Sequence, residues 1–162
     1  MLRRYRKRRC WARLSARRSA PARRSLRLWA ESALGARAAG AEIALRVVGP
    51  VESRRLNQRF RGKDTPTNVL SFLSTAAAMS ISGARHRPLG DLVICARLLK
   101  AEAMDQGKPL RAHWAHLVIH GALHLAGYDH QRVADARRME RREISVLRQL
   151  GFPNPYRSRG TP

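Results

Sequence analysis

Residues 116–130 read His-Leu-Val-Ile-His-Gly-Ala-Leu-His-Leu-Ala-Gly-Tyr-Asp-His, and the spacing of the histidines constrains what surrounds them. His120 and His124 are four residues apart, so a helix here projects both imidazoles from one face, about one turn apart and within reach of a single metal ion. Gly127 follows as a residue at which the chain can leave the helix with φ > 0 and turn, bringing His130 back as a third nitrogen ligand. Three neutral imidazoles leave one tetrahedral position open. A catalytic zinc needs that position, because water bound there ionises near a pH of about 7 and becomes a nucleophile.

Outward from this stretch, residues 110–126 read as one helix whose apolar members Trp114, Leu117, Val118, Ile119, Leu123 and Leu125 occur nearly all round, the pattern of a buried central helix. At 100° per residue, His113, His116, His120 and His124 fall on one stripe about 80° wide. Upstream, residues 89–95 form a continuous apolar run after a Gly-Asp lead, which predicts a central strand. Residues 42–48 alternate Ile43, Leu45 and Val47 against Ala44 and Arg46, the period of a strand. A polar loop around Gly62 and Pro66 runs into another strand from Asn68, and residues 10–14 offer a short first strand. Helices are predicted over 25–36, over 51–60 with Val51, Leu56 and Phe60 on one side, and over 96–106, closed by Gly107 with Pro109 opening the next. A last helix spans 131–150, with Ala136, Met139, Ile144, Leu147 and Leu150 inward and Arg137, Arg138, Arg141 and Arg142 outward. No internal repeat is visible.

The chain of 162 residues fits one domain with a real core. No run approaches the roughly 18 apolar residues of a membrane span, so a soluble protein with no membrane partner is expected. Cys10 and Cys95 are too few and too far apart for a disulfide framework, which fits a reducing compartment. The net charge is +22, and twelve of the 33 basic residues precede the first acid, Glu31; the remainder still carries 21 basic against 11 acidic residues. Such a surface attracts polyanions, and phosphate contacts by Lys and Arg make binding salt-dependent and largely blind to sequence, so RNA is a natural partner. The expected organisation is a basic extension over 1–24, a catalytic domain over 25–156 and a tail over 157–162. Residues 1–25 also have the Arg- and Ser-rich look of an organelle transit peptide, the alternative to a cytoplasmic protein.

The spacing HxxxHxxGxxH is that of the extended zinc-protease motif, yet that motif carries its general-base Glu directly after the first His, where this chain has Gly121. The same residues, HGALHLAGYDH, resemble the signature of the YbeY family, metal-dependent endoribonucleases of rRNA maturation. Residues 60–72, Phe-Arg-Gly-Lys-Asp-Thr-Pro-Thr-Asn-Val-Leu-Ser-Phe, match the family too, as does the strand at 89–95, so the resemblance covers roughly 26–156. It implies an α+β fold of the zincin-like kind, a small mixed β-sheet packed with helices around a central metal-binding helix. It also implies single-strand-specific cleavage in 16S rRNA 3′-end maturation and ribosome quality control, with rRNA and the small ribosomal subunit as partners.

One Zn2+ per chain is expected on His120, His124 and His130, although imidazoles also suit nickel, copper and iron. Arg61 falls on the family's functional arginine, and its planar fork can hold two phosphoryl oxygens as negative charge grows. His116 is a candidate catalytic base or a partner of the ligands, and Asp129 can orient His130. The family usually has proline where this chain has Leu73, followed by small residues over 74–83. Two rival readings are a zinc metallopeptidase, disfavoured by Gly121, and a non-catalytic rRNA or ribosome assembly factor with structural zinc.

Overall fold

The structure, a computed structural model, describes residues 20–75, 87–129 and 131–157. The expected strand at 10–14, most of the small-residue segment 74–83 and His130 lie outside the described residues. Among the described residues, five α-helices and three strands follow one another in an α+β order. The strands are β1 (Ala41–Val48), β2 (Val69–Leu73) and β3 (Arg87–Cys95), arranged β1-β3-β2 in one sheet. β1 runs parallel to β3 and β2 antiparallel to it, so the sheet is mixed and β3 is its centre. Leu92 and Ile94 of β3 enter the main core, while Val93 and Cys95 enter a smaller one on the other face with Val48 and Leu70. Burial on both faces is why this strand reads as an unbroken apolar run and β1 as an alternation.

The helices are α1 (Arg23–Leu34), α2 (Pro50–Arg61), α3 (Ala96–Asp105), α4 (Leu110–Leu125) and α5 (Val133–Gln149), with a 3-10 turn, Gly35–Ala38, after α1. α4 is central: it packs against α1, α3, α5, β2 and β3. Trp114, Val118, Ile119 and Leu123 are each almost fully buried, and each such side chain removed from water stabilises the fold by roughly 1.5–3 kcal/mol before entropy is counted. α1 contributes Leu26 and Trp29 to the same core, and α5 contributes Met139, Val146 and Leu147. Among the described residues, no helix is long and apolar enough to cross a membrane.

α2 differs from its sequence reading. Val51 is 85% and Phe60 54% exposed, and the buried residues are Ser53 and Asn57. The reason is a set of polar anchors to the following loop: Ser53 Oγ donates to Thr67 O at 2.6 Å and accepts from Thr67 N at 2.9 Å, while Asn57 Nδ2 donates to Thr65 O at 2.8 Å. α2 is therefore held to the sheet's second face through Leu56 and to its own loop through hydrogen bonds.

Gly121 sits where α4 crosses β3. A Cβ at this position would run into the side chain of Leu92, which is itself fully buried. A larger residue would have to displace Leu92, so packing disfavours the base of the protease motif here. Gly121→Ala should destabilise the protein by about 1–3 kcal/mol through overpacking, read as a fall in the urea midpoint; an unchanged midpoint would mean that Leu92 has room to move.

Candidate metal centre and groove

α4 presents His113, His116, His120 and His124 along one side, and the four differ in surroundings. His124 Nδ1 lies 3.0 Å from the carbonyl oxygen of Tyr128. This contact depends on the turn that ends the helix: Gly127 has φ +90°, and Tyr128 N donates back to Leu123 O at 3.0 Å. A glycine takes that φ without the Cβ clash other residues meet. His120 Nδ1 lies 2.8 Å from Glu143 Oε1. In both rings Nδ1–H thus has an acceptor, so a metal would be ligated through Nε2. The two rings stand edge to face with centroids 4.6 Å apart, which fits two ligands of one ion.

His120 and His124 line an open groove of about 960 Å³ together with Arg61, Lys63 and Ser71. Arg61 is the last residue of α2. Gly62, at φ +69°, caps the helix by donating to Gln58 O, and the arginine's Nη2 reaches Ser71 O at 3.5 Å. The anchors from Ser53 and Asn57 hold the loop that contributes Lys63 to the groove. Asp129 lines the same groove.

His116 does not line the groove. Its Nε2 is 3.1 Å from Glu143 Oε2, its Nδ1 is buried without a hydrogen-bond partner among the described residues, and its ring forms a wall of a second cavity of about 450 Å³. With Nε2–H donating to a carboxylate, the ring is placed as a partner of Glu143, and neither nitrogen is presented to a water in the groove. Of the two roles open to His116 in the sequence, the geometry favours the partner over the base.

Glu143 and Tyr156 were not singled out by sequence reasoning. Glu143, on α5, is fully buried, and its carboxylate accepts from His116, His120 and the hydroxyl of Tyr156. Burial opposes its ionisation, but the hydrogen bonds from His116, His120 and Tyr156 and the charge of His120 outweigh it and hold the carboxyl at about 2. The Tyr156 hydroxyl is raised above its ordinary value by burial and then by Glu143. His116, His120 and Glu143 lie close enough together that the group could hold a metal ion.

His113, at the start of the stripe, shares Glu102 Oε2 with Asn68 Nδ2, at 2.9 and 3.0 Å. Burial lowers its pKa from the ordinary 6.5; Glu102 opposes the shift, and His116 and Lys108 add to it. Below pH 6.5 the unfolded chain therefore binds a proton that the folded imidazole resists, and native stability falls as pH drops through this window. The melting temperature of the wild type should fall relative to that of His113→Gln between about pH 7 and 5; parallel curves would show that the imidazole does not contribute to this dependence.

A family model described as Endoribonuclease YbeY matches residues 16–151. The chain belongs to this family. An Endoribonuclease YbeY of Methylococcus capsulatus is 53% identical over 133 residues, covering 82% of this chain and 85% of that protein. One from Halorhodospira halophila is 46% identical over 141 residues, covering 87% and 91%. A solution structure of a Thermotoga maritima protein superposes with a TM-score of 0.58 at 23% identity, covering 94% of this chain and all of that one, which shows a shared fold. The α+β architecture read from the sequence agrees with that likeness.

Proposed function

We propose that the protein is a single-strand-specific, metal-dependent endoribonuclease acting in 16S rRNA 3′-end maturation and ribosome quality control, in the cytoplasm and on the small ribosomal subunit. Family membership supports RNA as the substrate. The observation that carries the reading is the groove itself, lined both by two imidazoles committed through Nδ1 and by Arg61. The finer architecture we propose is zincin-like, with α4 bearing two ligands beside the mixed sheet, inside a catalytic domain over 25–156 flanked by a basic extension and a short tail.

His120 and His124 through Nε2, with His130, would hold one zinc ion per chain. When bound, the ion supplies Lewis acidity that activates water and polarises a phosphoryl oxygen. The remaining work belongs to the chain. The Tyr128 carbonyl and the Glu143 carboxylate fix the imidazole tautomers, Arg61 offers donors to the phosphoryl oxygens as charge develops, and the groove admits a single strand. Gly121, packed against Leu92, stands where a peptidase would carry its base, which argues against the metallopeptidase alternative.

The purified protein should cut labelled single-stranded RNA, spare the duplex, and lose activity to a chelator with recovery on adding zinc. Absence of cleavage by fully loaded protein would reject the reading and favour an assembly factor. The basic surface adds a separate expectation. Arg137, Arg138 and Arg141 are exposed on α5, so affinity for single-stranded RNA should fall steeply with salt, by on the order of 10³-fold between about 50 and 200 mM if six phosphates are contacted. A flat salt profile would assign binding to aromatic stacking instead.

A further inference from the structure

We infer that Glu143 is a positioning residue of the metal centre, acting through His120, and that Tyr156 from the C-terminal segment completes the unit; this rests on the metal reading above. A carboxylate with 0% exposure on an otherwise arginine-rich helix is costly to bury unless its charge and lone pairs are satisfied. Glu143 meets that requirement with three donors, one on Oε1 and two on Oε2. The Oε1 bond fixes His120 as the Nδ1–H tautomer and sets the plane of its ring. His116 and Tyr156 hold the other oxygen, and their rings pack edge to face at 5.5 Å, so neither donor moves independently. The unit thereby ties together α4, α5 and the segment after α5.

The same three residues could instead be ligands of one ion, and the distances argue against it. Glu143 stands 2.8 and 3.1 Å from the two imidazole nitrogens, the separations of hydrogen bonds already made. Ligands at about 2.0–2.1 Å from a tetrahedral zinc lie roughly 3.3 Å apart, so an ion among His116, His120 and Glu143 would have to replace both hydrogen bonds that the buried carboxylate accepts from the imidazoles. An outer carboxylate that orients a ligating imidazole accounts for the burial, the charge and the geometry together.

The test uses the full chain. Zinc affinity is measured by competition with a chromophoric chelator, and the cobalt(II) absorption spectrum reports the ligand set, for the wild type and for Glu143→Gln, Tyr156→Phe and His124→Ala. Glu143→Gln should still bind one zinc, but about 10- to 100-fold more weakly, with the cobalt band pattern retained. Tyr156→Phe, which keeps the ring on His116, should lose less in the same direction. A changed cobalt ligand set in Glu143→Gln would make Glu143 a ligand and overturn the inference. Wild-type affinity in that variant, with only its melting temperature lowered, would make it a plain core residue and overturn it equally. If Glu143→Gln does not fold, unchanged affinity in Tyr156→Phe overturns it. Should His124→Ala lose zinc while Glu143→Gln binds as tightly as the wild type, this inference alone fails; a wild type that binds no metal removes the metal reading as well.

Discussion

His124→Ala should leave the purified protein with almost no bound metal and with RNA cleavage at background. The ring lost supplies one of three nitrogens proposed to hold the ion, and it is the one whose Nδ1 is set by the Tyr128 carbonyl. Removing an outer partner of a ligand typically weakens metal binding about 10- to 100-fold, and removing the ligand itself should exceed that. The variant should remain folded, because His124 is only partly buried at the mouth of the groove and the apolar face of α4 is untouched. Metal content by elemental analysis, read beside the circular dichroism spectrum, decides the matter. Full occupancy in a folded His124→Ala protein would reject the ligand assignment.

Arg61→Ala separates chemistry from binding. Arg61 lines the same groove as the two imidazoles, is exposed, and makes a long 3.5 Å contact to Ser71 O, so it can move toward a phosphoryl group as charge grows. An interaction that strengthens in the transition state appears in the rate, whereas the chain's other cations carry most of the affinity. The expected result is a loss on the order of 10² to 10³ in kcat with metal content and RNA affinity nearly unchanged. Arg61→Lys should restore little, because an ammonium cannot present two parallel donors. Near wild-type cleavage by metal-loaded Arg61→Ala would make Arg61 an ordinary surface residue.

Periodicity in the sequence revealed the elements whose burial is one-sided or complete. Ile43, Leu45 and Val47 announced β1, and the apolar circumference of residues 114–125 announced α4, because side-chain direction there follows directly from helix and strand geometry. On α2 the apolar side does not decide what is buried. Val51 and Phe60 are apolar, but Ser53 and Asn57 are needed to anchor a loop, and a tertiary hydrogen bond leaves no period in the sequence. Arg142 was likewise expected to point to solvent, yet it is half-buried and donates to Ala33 O at 3.4 Å, joining α5 to α1.

The histidine-bearing helix was legible and the carboxylate that meets it was not. Glu143 stands in a run of arginines and glutamates that reads as a solvated face. A signal was present all the same: it lies four residues after Met139 and three before Val146, on the stripe α5 buries, and a charge on such a stripe must have partners. Tyr156 had no such signal, because the direction a loop takes after Gly151 is not written in any local pattern.

The buried carboxylate also gives the centre an order of assembly in time. Polypeptides are made from the N-terminus at about 5–20 residues per second, so the imidazoles of α4 exist before Glu143 is synthesised, and Glu143 exists before Tyr156. The sheet and α4 can form while His120 still lacks the acceptor that fixes its ring. Only when α5 has docked and the segment beyond it has folded over His116 is the set complete. His120 is therefore made, and can be placed on its helix, before the carboxylate that orients it and the hydroxyl that holds that carboxylate.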